Sequence, residues 1–279
     1  MPAGMASLRY CHQESTPLFP GMIRSPPSTG RSTLARDRRA MPIDFNRTEA
    51  SAEPASIAIN ALLDAGARAD SESTRGYLGA SAVGHPCSRK VQYDWQCDPV
   101  HPTRIRDIFA RGHFFEEQSR GHFTKAGFRF AEKDRLEFET LDGWLRGHAD
   151  GIFLAGPDIP GVAYPCLWEH KAINAKGWKS LERDGLTKAY PQYAAQVVLY
   201  QFYLGVDSNP AIFTATNADT CERLHIVAPF DMELAEATFQ RAQLIVEATK
   251  RGELLPRMTE DSSNWRCRLC GHRERCWRP

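Results

Sequence analysis

The chain has 279 residues, 42% of them hydrophobic, so it is long enough to bury a substantial core in one large domain. Its formal net charge of +1 excludes a strong overall field that attracts polyanions, so any nucleic-acid surface must be local. We expect a cytoplasmic protein with no membrane partner, because no apolar run is long enough to span a bilayer and no signal peptide is recognisable near the start.

The N-terminal region has the composition of a tail. Residues 1–54 are rich in Pro, Ser and Arg and lack hydrophobic periodicity, which predicts disorder. A transit peptide fits this composition, and so does a start codon placed too early, with translation from Met41; the second interpretation is the simpler one. Residues 55–76 predict a helical lead-in, with a short helix over Ala55–Ala67.

Two helices and a strand are predicted next. Tyr77–Trp95 indicates a helix that carries Cys87, and Ile105–Lys125 indicates a longer helix with an apolar stripe. The stripe consists of Ile105, Phe109, Gly112, Glu116, Ser119 and Phe123. An unpaired buried carboxylate costs several kcal/mol, so Glu116 should have a partner, either a metal ion or an arginine. Phe128–Thr140 alternates as a strand.

The stretch Leu145–Ile173 reads as two strands joined by a turn rich in Pro and Gly. A symmetric hairpin places Asp150 opposite Glu169, and it also places His148 opposite Lys171. Glu169 and Lys171 then share a face because side chains alternate along a strand. Opposed carboxylates repel, so a divalent cation such as Mg²⁺ or Mn²⁺ would explain them, and with the lysine it suits phosphodiester hydrolysis. The alternative is an exposed hairpin with solvated charges.

A basic segment and an apolar helix follow. Asn174–Asp184 predicts a short helix in a stretch with excess positive charge, which is either solvated surface or a phosphate-binding face. The candidate DNA-binding residues are Lys176, Lys179, Arg183 and Lys188. Pro191 opens a helix that is apolar around most of its circumference. A polar line crosses it through Gln192, Gln196, Tyr200 and Tyr203, which serves either a core hydrogen-bond network or an active cleft.

The last part of the chain predicts two strands, a helix and a metal-binding segment. The strands cover Ala211–Thr216 and Arg223–Ala228, and Asp231 caps a helix over Met232–Arg251 that Gly252 ends. Beyond them, three of the eight cysteines form a C-x2-C-x5-C pattern. These three are Cys267, Cys270 and Cys276.

Three thiolates leave a tetrahedral metal site or a cubane cluster one ligand short. Cys87 has the most suitable surroundings among the other cysteines, and its ligation would join the beginning of the domain to its end. Zinc bound by the three cysteines and His272 is the competing chemistry, and reduced thiols without metal are the remaining alternative.

Taken together, these residues resemble the PD-(D/E)XK nuclease superfamily, and within it the RecB-like branch that includes CRISPR-associated exonucleases and AddB-type recombination nucleases. The likeness runs from about Tyr77 to Trp277. The matched motifs are Gly112 and Glu116 for G-x3-(H/E), Gly147, His148 and Asp150 for GhxD, Glu169, His170 and Lys171 for (D/E)-x-K, Gln196 and Tyr200 for Q-x3-Y, and the four cysteines for the iron–sulfur pattern. The chain departs from the family at Ala149, where a proline is common, and at Glu116, where iron–sulfur relatives often have histidine.

The resemblance implies an α/β fold with a mixed central β-sheet flanked by helices. It implies a nuclease domain over residues 77–256 and a cysteine-rich segment over 257–279 that closes on Cys87. The implied metal ligands are Glu116, Asp150, Glu169 and the main-chain carbonyl of His170, with Lys171 as the catalytic lysine and Gln196 and Tyr200 lining the DNA cleft. The implied ligands of a 4Fe–4S cluster are Cys87, Cys267, Cys270 and Cys276.

The implied activity is that of a Mg²⁺- or Mn²⁺-dependent exonuclease acting on linear or single-stranded DNA ends in phage or bacterial recombination, repair or CRISPR-type processing. A helicase partner would be a separate chain, because no G-x4-G-K-S/T motif occurs in the sequence. Two alternatives come from other classes. One is a catalytically silent DNA-end-binding recombination adaptor, and the other is a zinc-stapled nucleic-acid-binding protein.

Overall fold

The computed structural model describes residues 54–69, 76–96 and 103–278. The chain divides into two units, Met1–Gly66 and Ala67–Pro279. Helix α1 (Pro54–Ala69) begins in the first unit and confirms the predicted lead-in helix. The predicted tail, apart from its last residue, lies outside the described residues.

The second unit contains eight strands in two sheets. The strands are β1 (Leu78–Gly79), β2 (Arg129–Phe130), β3 (Glu137–Thr140), β4 (Leu145–His148), β5 (Gly151–Ala155), β6 (Cys166–Ile173), β7 (Ala211–Asn217) and β8 (Arg223–Ala228) among the described residues. The smaller sheet has the order β1–β4–β3, and the larger one has the order β2–β5–β6–β7–β8. In the larger sheet only the β6–β7 pair is parallel, so the sheet is mixed, as the sequence predicted.

The helices after α1 pack around these sheets. They are α2 (Ala80–Val83), α3 (Ser88–Gln96), α4 (Thr103–Lys125), α5 (Ala175–Ala189), α6 (Pro191–Tyr203), α7 (Met232–Lys250), α8 (Trp265–Arg268) and α9 (Arg273–Trp277). Helix α7 begins as predicted, since the side chain of Asp231 accepts a hydrogen bond from the main-chain N–H of Leu234 at 2.9 Å. Gly252, just beyond its end, has a positive φ of 70°. The predicted domain boundary at residue 256 stays a prediction.

The predicted single helix over Tyr77–Trp95 is wrong. The segment forms β1, α2 and α3, and the two helices are separated where the chain crosses α6 closely. A Cβ atom at Gly84 would lie 2.6 Å from the Cα atom of Gln192, which is closer than packed atoms approach. Pro86 then lies just before α3, and it would interrupt a continuous helix because it lacks an N–H group.

The predicted buried stripe of α4 holds only for the second half of the helix. Phe115 and Ser119 are buried, whereas Phe109 is 50% exposed, because the first half of the helix extends beyond the surface that covers the second half. The predicted strand over Phe128–Thr140 is also interrupted. A 3-10 turn over Lys133–Arg135 separates β2 from β3, and these two strands belong to different sheets.

The predicted hairpin has the expected register but a broken first strand. Gly151 pairs with Trp168, and two further pairs follow with the same symmetry, as the sequence predicted. The expected pairing of His148 with Lys171 is wrong, because β4 belongs to the smaller sheet, where His148 pairs with Glu137 of β3. The chain therefore changes sheets at a bend at Asp150.

Helices cover both faces of the larger sheet, which confirms the predicted layered α/β fold. Phe123 of α4 packs against Trp168 on one face, with ring centroids 5.6 Å apart. Tyr193 of α6 packs against Phe213 on the opposite face, at 6.0 Å. The β6 strand thus lies between two helices, and its central residues are fully buried. Within the described part of the chain, no helix has the length and apolar character needed to cross a membrane.

Candidate active site

The bend before β5 and the centre of β6 bring two carboxylates and an ammonium group together. The main-chain N–H of His170 donates a hydrogen bond to Oδ2 of Asp150 at 2.7 Å. Nζ of Lys171 lies 2.5 Å from Oε1 of Glu169 and 3.7 Å from Oδ2 of Asp150. The same ammonium group donates to the main-chain oxygen of His170 at 3.0 Å. Four residues singled out from the sequence therefore meet at one point.

Glu169 is fully buried, and its two carboxylate oxygens differ in their surroundings. Oε1 accepts a hydrogen bond from Lys171, whereas Oε2 has no hydrogen-bond partner among the described residues. Burial, together with the charge of Asp150, raises the pKa of Glu169 to about 8. Burial would lower the pKa of Lys171, but Glu169 and Asp150 outweigh it and raise that pKa. Glu169 therefore lacks one stabilising positive charge or donor.

Glu116 approaches the same point from α4. Burial, followed by the charge of Asp150, raises the pKa of Glu116. Nδ1 of His113 lies 3.7 Å from Oε2 of Glu116, and the Glu116 side chain is 29% exposed. The expectation that Glu116 lies in the core is therefore corrected to a half-buried position at the rim of the acidic cluster.

The oxygen atoms of this cluster fit a hard divalent cation such as Mg²⁺ or Mn²⁺. The unpartnered Oε2 of Glu169, the carboxylate of Asp150 and the main-chain carbonyl of His170 are all oxygen donors. No three His, Cys, Asp or Glu side chains within residues 54–69, 76–96 and 103–278 form a group that could hold a metal ion. The donor set therefore combines two side chains with a main-chain oxygen, and Glu116 stays a predicted ligand.

Gln196 and Tyr200 lie in the core next to the acidic residues. They are 4% and 3% exposed, and Nε2 of Gln196 donates to the Tyr200 hydroxyl at 3.1 Å. Burial, followed by the charge of Glu169, raises the pKa of Tyr200. A Cβ atom at Gly147 would lie 2.5 Å from the Tyr200 ring, so only glycine permits this approach. The predicted polar line thus includes a core hydrogen-bond pair.

The side chain of His170 anchors β6 from the opposite face of the sheet. Its Nε2 atom is hydrogen-bonded to the hydroxyl of Thr216 on β7 at 2.9 Å. Burial lowers the pKa of His170 to about 4, so the ring is neutral at neutral pH. Nε1 of Trp168 donates to Thr214 on the same face at 2.9 Å. These contacts fix the peptide whose N–H and C=O groups face Asp150 and Lys171.

The four predicted DNA-binding residues lie on α5, which follows β6 directly. Asn174 caps this helix by accepting a hydrogen bond from the N–H of Gly177 at 2.8 Å. Arg183 and Lys188 lie 2.6 and 3.3 Å from the carboxylate of Asp184, which offsets part of their charge. The other two predicted residues, Lys176 and Lys179, are exposed.

The four predicted cluster ligands line a single cavity. They are Cys87, Cys267, Cys270 and Cys276. All four are reduced, and burial, followed by the proximity of Cys87, raises the pKa of Cys267. His272 lines the same cavity, but its Nε2 atom is 2.7 Å from Oδ1 of Asp94. Four thiols from two remote segments form a donor set that fits an iron–sulfur cluster or zinc.

Arg120 belongs to the site but was not singled out from the sequence. Its guanidinium donates a hydrogen bond to the main-chain oxygen of Asp150. The same group lies over the rings of Phe130 and Trp168, 4.3 and 5.6 Å from their centroids. The sequence signal that could have found it is its spacing of four residues from Glu116, which places both side chains on one face of α4.

Comparisons with known proteins find two solved structures of similar shape. The crystal structure of SSO0001 has 14% sequence identity and a TM-score of 0.40, over 81% of this chain and 96% of that chain. An alkaline exonuclease, LHK-Exo from Laribacter hongkongensis, has 14% identity and a TM-score of 0.46, over 69% of this chain and 93% of that chain. No protein-family model and no curated protein matches. Likenesses at this level define neither a family nor an activity.

The raised pKa of Glu169 predicts a specific pH dependence of stability in the metal-free protein. The folded chain retains a proton on Glu169 between pH 4.5 and about 8, whereas the unfolded chain has released it. The unfolding free energy of the wild type should therefore fall relative to that of Glu169→Gln across this range, by roughly 1.4 kcal/mol for each pH unit, and then level off.

Urea denaturation of both proteins in the presence of a chelator, at a series of pH values, measures this difference. Glu117→Gln is the matched control, because Glu117 is an exposed carboxylate on α4. Parallel stability curves for the wild type and Glu169→Gln would contradict the assignment of a buried, proton-binding Glu169.

Proposed function

We propose that this chain is a divalent-metal-dependent deoxyribonuclease that acts on DNA ends as an exonuclease. The observation that carries the proposal is the buried carboxylate of Glu169, whose Oε2 atom has no hydrogen-bond partner in the described part of the chain. A structural ion pair would satisfy both oxygens, whereas an oxygen left beside Asp150 and Lys171 suits an added cation. A bound Mg²⁺ or Mn²⁺ would supply an activated water and stabilise the charge that develops on the phosphate.

The residues around this point would divide the work as follows. Asp150, Glu169 and the His170 carbonyl would hold the cation, with Glu116 completing the set from α4. Lys171 stays positively charged because the neighbouring carboxylates raise its pKa, so it would orient the attacking water and offset negative charge near the phosphate.

Gln196 and Tyr200 would act from beneath the site. Their mutual hydrogen bond and their burial are suited to supporting Glu169, and a direct contact with DNA would require them to become more exposed. Catalytic roles for both residues stay predictions. Lys176 and Lys179, with Arg183 and Lys188 behind Asp184, would hold the phosphates of the strand that enters the site.

The order of the four sequence motifs supports membership of the PD-(D/E)XK superfamily and its RecB-like branch. The chain from Gly112 to Tyr200 carries a carboxylate on a helix, an aspartate at a bend, a (D/E)-x-K strand and a Q-x3-Y helix in that order. A place in recombination, repair or CRISPR-type DNA processing, with a separate helicase as partner, is part of the same proposal. So is a cytoplasmic location, where thiols stay reduced.

Replacing Lys171 by alanine tests the chemistry directly. With Mg²⁺ or Mn²⁺, the wild type should degrade linear DNA, and Lys171→Ala should lower kcat by about 10² to 10³, because a charged group at the reacting phosphate is lost. A fluorescent assay on end-labelled linear and circular DNA measures the rate and the requirement for an end. Lys133→Ala, which removes an exposed lysine from the 3-10 turn, is the control.

Equal rates for Lys171→Ala and the wild type would refute the mechanism. Tight DNA binding without any metal-dependent cleavage by the wild type would favour the silent end-binding adaptor instead. Cleavage of circular DNA at the same rate would remove the exonuclease part of the proposal and leave the nuclease part.

The same proposal includes a 4Fe–4S cluster held by the four cysteines that line one cavity. The cluster would join Cys87, just before α3, to the C-terminal segment that contains α8 and α9. Zinc bound through His272 is less well supported, because the ring nitrogen Nε2 of His272 already pairs with Asp94. The raised pKa values of Cys267 and Cys270 mean that loading would release protons.

Metal analysis of anaerobically purified protein separates these chemistries. We expect a brown protein with about four iron and about four sulfide per chain. Cys276→Ser should lose the colour and lower the unfolding temperature, while Cys221→Ser should keep both, since Cys221 is exposed and outside the cavity. A colourless wild-type protein that contains zinc would contradict the cluster.

A further inference from the structure

Arg120 connects three parts of the site that are remote in sequence. It lies on α4, its guanidinium donates to the main-chain oxygen of Asp150, and it stacks over Phe130 of β2 and Trp168 of β6. The rings belong to the aromatic cluster on the face of the sheet opposite Glu169. Arg120 therefore reaches the bend at Asp150 from a firmly packed layer.

The bend at Asp150 has no ladder of its own to hold it. Residue 150 lies between β4, which belongs to the smaller sheet, and β5, which belongs to the larger one. Its carboxylate accepts a hydrogen bond from the His170 N–H, and its main-chain oxygen accepts one from Arg120. These two bonds hold Asp150 from both ends, and only the second comes from a side chain.

The charge of Arg120 also suits this place. Three carboxylates, from Glu116, Asp150 and Glu169, influence one another here, and Lys171 is the ammonium group among them. Arg120 adds a second positive charge that favours the ionised form of Glu116. It does so without occupying a carboxylate oxygen of Asp150, because its hydrogen bond goes to the main chain.

We propose that Arg120 is a positioning residue that holds the Asp150 bend in the geometry needed for cation binding. The effect on cation affinity rests on the proposed function, whereas the effect on the bend does not. Groups that orient the ligands of a metal typically change its affinity by about 10-fold to 100-fold when they are removed. Arg120 would therefore be needed for metal binding although it supplies no ligand.

Two substitutions separate positioning from packing. Arg120→Met keeps a long apolar side chain over Phe130 and Trp168 but removes the donor and the charge. Arg120→Lys keeps the charge and one donor but loses the planar fork. Arg111→Met is the matched control, since Arg111 is exposed on the same helix.

The first measurement is amide hydrogen exchange of the metal-free proteins, followed by NMR. The His170 N–H reports on the bend because it donates to the Asp150 carboxylate. In Arg120→Met its exchange should be at least about 10-fold faster, with the amides of β7 unchanged, and Arg120→Lys should be intermediate. An unchanged rate at His170, or a uniform increase at all amides, would overturn the positioning role.

The second measurement is Mn²⁺ affinity without DNA, followed by electron paramagnetic resonance. Arg120→Met should bind Mn²⁺ about 10-fold to 100-fold more weakly than the wild type and Arg111→Met. Equal affinities would overturn the proposal. If the wild type binds no Mn²⁺, the proposed function fails, and the exchange rate at His170 decides the role of Arg120 separately.

Discussion

The burial of the Glu169 carboxylate is the constraint on which the rest of this structure depends. The group lies at the centre of β6, between a strand on each side and helices on both faces, so water does not reach it. Lys171 satisfies one oxygen, and Asp150 adds a like charge nearby. A carboxylate in such a place is expensive to ionise unless a further positive charge is bound. A cation site is the arrangement that turns this cost into function.

The surrounding elements can be understood as supports for that one group. His170 ties β6 to β7 through Thr216 and holds the Asp150 carboxylate with its main-chain N–H. Helix α6 closes the site from below with Tyr200, and α4 brings Glu116 to its rim. The cysteine cavity lies in another part of the second unit, where it joins Cys87 to the C-terminal segment. Its proposed role is to hold the chain end in place.

The sequence predicted local features and the order of motifs better than it predicted sheet membership. The symmetric turn between β5 and β6 set the register, because cross-strand pairing follows from the turn alone. The break at Asp150 was missed, since β4 leaves the hairpin to pair with β1 and β3, and non-local pairing leaves no local signal. Gly84 and Pro86 did carry a signal that divides the helix over Tyr77–Trp95. Arg120 was missed because its partner is a main-chain oxygen, which no residue pattern shows.

Counting the protons released when Mn²⁺ binds tests the central claim most directly. Because the pKa of Glu169 is raised to about 8, most molecules must lose a proton from this carboxyl group before it can hold a cation at neutral pH. Calorimetric titration at pH 7 in buffers of different ionisation enthalpy should show the release of about one proton in the wild type and none in Glu169→Gln. Binding of Mn²⁺ without proton release, or with the same release in both proteins, would contradict a site built around Glu169.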